Sequence, residues 1–106
     1  PAATSSKILV MGTMHGIYKA SNDIYAGFRI TKGGSSIAYF ADFHGYINNV
    51  PGITSTSWHY VDSPSSTSEL TYAIEFASTP NQATLTINKQ SAAAQISMLV
   101  LMEIGA

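Results

Sequence analysis

A chain of 106 residues with no cysteine is long enough for one domain and has to hold it without disulfides, thiolate catalysis or a Cys-ligated zinc. Hydrophobic residues make up an ordinary 45%, but charged residues only 10%, far below the usual quarter; Ser and Thr fill the deficit, which suits a surface hidden in an assembly or a sturdy β framework. A net charge of -1, with the basic residues scattered, excludes nucleic-acid binding driven by phosphate neutralisation, and no apolar run approaches the roughly 20 residues of a membrane-spanning helix.

Residues 1–6 lack the charged and apolar regions of a secretory signal. They are expected to be a lead-in, connecting to an upstream shaft or marking a processing boundary, and residues 7–106 to form the domain. Period-2 alternation dominates the rest, and no segment offers a helical stripe over three turns. The first predicted strand, Lys7 to Met14, is apolar on both faces through Ile8, Leu9, Val10 and Met11. Ile24 to Ile30 follows, with Ile24, Ala26, Phe28 and Ile30 on one side and Arg29 on the other. Lys32 to Ser35 reads as a hairpin turn, because adjacent glycines accept positive φ. Ile37 to Phe43 returns as a strand.

From His44 to Thr56 the alternation breaks, and Asn48-Asn49 and Pro51-Gly52 are turn formers. This is the longest predicted loop, with a short extra strand at Tyr46 and Ile47. Trp58 to Val61 resumes the extended pattern and stops at the polar Asp62 to Ser68 connection. Leu70, Tyr72, Ile74 and Phe76 then alternate with Glu69, Thr71, Ala73 and Glu75, the most amphipathic strand of the chain. Thr84 to Asn88 is a further strand, with Leu85 and Ile87 inward. The last strand puts Ile96, Met98, Val100, Met102 and Ile104 on one face and Leu99 and Leu101 on the other. A strand apolar on both faces needs two coverings, its own core and another surface, and a second copy of the chain is the simplest source of that surface. Seven or eight short strands without a crossover helix describe an antiparallel β-sandwich or jelly roll, with the first and last strands as neighbours in the sheet that meets other subunits. Leu9, Met11, Leu99 and Leu101 form the predicted interface, with Glu103 at its rim or paired with Lys7.

Little points to catalysis. His15, His44 and His59 do not pair at a ligand spacing and are read as surface or interface residues; an ion would need several subunits' histidines on a symmetry axis. No acidic residues are adjacent, there is no Gly-x-Ser-x-Gly elbow, and no helix follows Gly33-Gly34 to make a phosphate cradle. The chain is therefore expected to be no enzyme and to carry no metal or cofactor. For recognition it offers Tyr46, Asn48 and Asn49, with His59 and Tyr60 beyond, since rings stack on sugars and amides donate and accept at once. Trp58 is read first as a core or interface anchor, as large aromatics favour burial.

Several segments carry a family resemblance together: Ser5 to Met11, Asp62-Ser-Pro leading into Thr71 to Phe76, Thr84 to Asn88, and the Met98 to Ala106 terminus. The set resembles the C-terminal head modules of fibres and related structural proteins of tailed bacteriophages. It covers nearly the whole domain, His44 to Ser57 excepted, and its motifs belong to a fold rather than to a catalytic site. The resemblance implies a homotrimeric β-sandwich, similar in outline to the jelly rolls of the complement C1q and tumour-necrosis-factor superfamily, on a virion fibre, spike or capsid surface. The implied partners are two further copies, an upstream shaft or other virion proteins, and a host-cell surface glycan or protein. Two alternatives stay open at the level of sequence: a virion cap or decoration module that binds no receptor, and a cellular C1q-like ligand or lectin module.

Overall fold

A computed structural model describes residues 1–19, 25–44, 52–79, 84–88 and 96–105. Among them the chain forms seven strands and no helix: β1 (Lys7–Lys19), β2 (Tyr25–Lys32), β3 (Ser35–His44), β4 (Gly52–Asp62), β5 (Tyr72–Thr79), β6 (Leu85–Thr86) and β7 (Met98–Ile104). Two antiparallel sheets result. In the first, which we call sheet A, β1 pairs with β4 along one edge; its other edge is shared by β7, opposite residues 7–13, and β6, opposite Tyr18 and Lys19. Sheet B has the order β3-β2-β5. The first and last strands are thus neighbours, as their shared two-faced apolarity predicts.

Alternation and burial agree through the middle of both sheets. Ile8, Val10, Met14 and Ile17 from β1 and Ala26, Phe28 and Ile30 from β2 are buried. Phe40, Trp58, Tyr60, Leu70 and Ile74 pack around them, and Leu85 and Ile87 point inward as their alternation predicts. Phe28 stacks on Phe40 at 5.6 Å, and Phe40 meets Trp58 at 4.1 Å between ring centroids. Trp58 is the core anchor of that group, and a glycine makes room for it: Gly12 lies directly opposite in the ladder, where a Cβ would fall 2.1 Å from the indole Cζ2. Adding that one carbon would force a backbone or ring shift.

The largest corrections to the predicted boundaries fall at β1, β4 and β6, while β2, β3 and β5 differ by one to three residues at their ends. β1 runs on past Met14 to Lys19, because a bulge absorbs the irregularity that ends its alternation. Met14 faces Thr56 and Ile17 faces Thr54, so β1 carries one extra residue, and Gly16 takes a φ of 59° within it. β4 starts at Gly52, inside the predicted loop; the run Thr54 to Ser57 is polar on both faces and so shows no alternation, although threonine suits a strand. β6 is only two residues long. The Lys32 to Ser35 hairpin is as expected, with Gly33 and Gly34 at φ values of 56° and 84° and Lys32 opposite Ser35. The predicted extra strand at Tyr46 and Ile47 lies outside the described residues.

Two polar clusters tie elements together. Where β6 gives way to β7 along β1, Asn88 donates its backbone N–H to the His15 carbonyl at 3.0 Å. Ser97 Oγ accepts from the His15 N–H at 3.0 Å and donates to Asn88 Oδ1 at 2.6 Å. Asn88 has a φ of 60°, a conformation its short amide tolerates. At the opposite end of β1, Asp62 of sheet A accepts from Lys32 Nζ at 2.8 Å and from Tyr72 OH at 2.7 Å, both from sheet B. The lead-in is also anchored: Ser6 is buried, and the Ala2 N–H donates to Glu103 Oε1 at 2.6 Å.

Candidate functional site

β7 is the feature of sheet A that its own domain does not explain. Its six apolar residues are exposed by 36% at Leu99 up to 57% at Met98, although they alternate between both faces of the sheet. One edge of β7 pairs with β1; among the described residues no strand pairs with the other. An edge strand with unpaired backbone groups and apolar side chains on both faces is a template for association.

The register decides which residues act together. Residues directly opposite in an antiparallel ladder share a face. Val10 faces Leu101 and Gly12 faces Leu99, so both leucines point to the inner side, the side of the core. Leu9 faces Met102 and Val61, and Met11 faces Val100 and His59. Leu9 and Met11 therefore lie on the outer face, and the expected single patch of Leu9, Met11, Leu99 and Leu101 is divided between two faces. The outer patch is Leu9, Met11, Val61, Val100 and Met102, extended by Met98 and Ile104. Sequence reasoning missed Val61, Val100 and Met102 as members of this surface, because a strand apolar on both sides carries no mark of its phase.

The inner side is open as well. β1 packs over β2 and β4 over β3, which leaves β7 and β5 along the same flank. Phe76 of β5 faces inward beside Phe28 yet is 47% exposed, like Leu101 across the gap between the sheets. Among the described residues Leu85 and Ile87 pack inward at one end of this flank, while Phe76 and Leu101 stay about half exposed. Glu103 stands opposite Ile8 at its end, on the side away from Lys7, which faces Ile104. Its partner is the Ala2 N–H, and that hydrogen bond holds the carboxyl below the usual range.

The predicted recognition residues do not form one surface. Tyr46, Asn48 and Asn49 lie outside the described residues. His59 is exposed on the outer face of sheet A, next to Met11, whereas Tyr60 points inward and packs against the core. Among the described residues no group of three or more His, Asp or Glu side chains is placed to hold a metal ion, and no helix is long and apolar enough to cross a membrane. The chain matches no family, no curated protein and no solved structure in comparisons of sequence and fold. Its surfaces therefore have to be read from their own chemistry.

Proposed function

We propose that this chain is a non-enzymatic structural module, the jelly-roll head of a virion fibre or spike, which assembles as a homotrimer through sheet A. A head of this kind would present its remaining surface to a glycan or protein of the host cell. The observation that carries the reading is the double exposure of β7: the outer patch and the inner flank both need a covering that the described chain does not provide. A second copy is the economical occupant, because the chain already holds complementary apolar surface and few charges to repel it. Leu9 and Met11 are half-buried already and Val100 and Met102 are 42% and 53% exposed, so covering the four contributes only part of the about 1.5–3 kcal/mol that full burial from water is worth for each, before association costs. The trimeric order and the virion setting draw on the resemblance of nearly the whole domain to phage fibre heads.

Light scattering on the purified chain tests the assembly. The expected mass is three times that of the 11.3 kDa chain. Val100→Asp on the outer face and Leu101→Asp on the inner flank are both expected to yield monomer with an intact β spectrum. A monomeric native chain, or a trimer that survives both substitutions, would refute the reading.

A further inference from the structure

Sheet B presents a different chemistry. Tyr39, Arg29 and Glu75 stand in one row across β3, β2 and β5 on its outer face, since the register sets Tyr39 and Glu75 on either side of Arg29. Arg29 Nε donates to Glu75 Oε2 at 2.6 Å and Nη2 reaches the same oxygen, while Nη1 lies 3.5 Å from Tyr39 OH. The guanidinium is thereby held in one orientation on a partly exposed surface. The next outward pair along β2 and β5 is Gly27 and Ala77, two small residues. The row therefore borders a shallow cleft of about 380 Å³, lined by Gly27, Arg29, Tyr39, Glu75 and Ala77 together with Phe28 and Phe76, whose side chains belong to the other face of the sheet.

Three properties narrow what this cleft takes. Its volume is at the small end of the range for ligand sites, about 300–1,000 Å³, which fits a single ring better than an extended chain. Tyr39 is 66% exposed and offers a flat apolar face with a polar tip. Arg29 and Glu75 neutralise each other, so the site does not attract a net charge; it offers donors on one side and carboxylate acceptors on the other. Adjacent hydroxyls on a pyranose, each donor and acceptor at once, complement that arrangement.

We propose that this cleft binds a neutral sugar ring stacked on Tyr39, with neighbouring hydroxyls hydrogen-bonded to Arg29 and Glu75. The site names a ligand class for the attachment reading and rests on it for its biological role, but the binding itself needs only sheet B. If sheet A is covered by sister chains, sheet B is the broad face left outward.

The test is a titration of the native chain with methyl glycosides of glucose, galactose, mannose and N-acetylglucosamine at millimolar concentrations, followed by backbone amide shifts in NMR, with the oligomeric mass measured on the same samples. At least one glycoside is expected to give saturable shifts centred on Gly27 to Arg29, Tyr39 and Glu75 to Ala77. Loss of the stacking face in Tyr39→Ala should weaken that binding about fivefold or more. Glu75→Gln should also weaken it, and Ala77→Arg, which fills the cleft, should abolish it. The proposal fails if none of the four glycosides gives saturable shifts, if the shifts fall elsewhere, if Tyr39→Ala and Ala77→Arg both bind as the native chain does, or if the methyl glycoside of sialic acid binds more tightly than any neutral sugar. Binding by a monomer would leave the sugar site standing and remove the trimer; a trimer without binding would do the reverse.

Discussion

Asp62 joins the two sheets at one end of the sandwich through a single carboxylate. Burial alone would favour its neutral form, but the hydrogen bonds from Lys32 and Tyr72 overcome that cost and hold its pKa below the usual carboxylate range. Burial first, and then the same hydrogen bond, push the Tyr72 hydroxyl far above its ordinary value. The two shifts bracket a stability window. A carboxyl with a depressed folded pKa adds stability that is complete above its unfolded pKa, about 4, and is lost as pH falls through the lower folded value. A phenol with a raised folded pKa adds stability below its unfolded value of about 10, which is lost as pH rises beyond it. Urea unfolding from pH 2 to 11 is therefore expected to show a plateau between those limits and a fall on both sides. Tyr72→Phe should remove the alkaline fall and lower the plateau by about 1.5–3 kcal/mol, the worth of a hydrogen bond to a charged group. A variant that keeps the native profile would show that the bridge contributes nothing.

The strands obey their side-chain pattern where one face is apolar and the other polar, and escape it where both faces are alike. β5 and the glycine hairpin were legible because Leu70 to Phe76 alternates and Gly33-Gly34 accepts positive φ. The continuation of β1 was not, since the bulge at Gly16 shifts the alternation by one residue midway. The outer row of sheet B was illegible for another reason: Tyr39, Arg29 and Glu75 are separated in sequence, and only the pairing of β2 with both neighbours aligns them. The division of Leu9 from Leu101 is of the same kind, because register is a property of the pair and neither strand specifies it alone. The length of β1 rests on Gly16. Its left-handed φ costs a residue with a Cβ about 1–2 kcal/mol, so Gly16→Ala should lower stability by that amount, and Gly16→Asn by less, in equilibrium unfolding. Equal stability of Gly16→Ala and the native chain would remove the bulge from the account of how β1 spans both β7 and β6.

At the scale of the molecule, the chain is a slab of 49 × 30 × 16 Å with a radius of gyration of 15.7 Å, larger than the ~13 Å of a compact chain of this length. A slab this thin has room for one layer of side chains between two sheets, so it gains its burial from breadth. Breadth without closure leaves edges, and among the described residues β7 is the least covered and most continuously apolar of the edge strands. If copies of the chain cover that edge, folding and association are one equilibrium, and the midpoint of thermal unfolding must rise with protein concentration by mass action. Calorimetry over two decades of concentration is expected to show that rise in the native chain and none in Val100→Asp, which should also melt lower. The contrast matters more than the absolute value, because an aggregating monomer would shift in the other direction, melting earlier as it is concentrated. A native midpoint that stays constant over the whole range would mean that β7 remains in water on a self-sufficient monomer, with the double-sided exposure a property of the free chain.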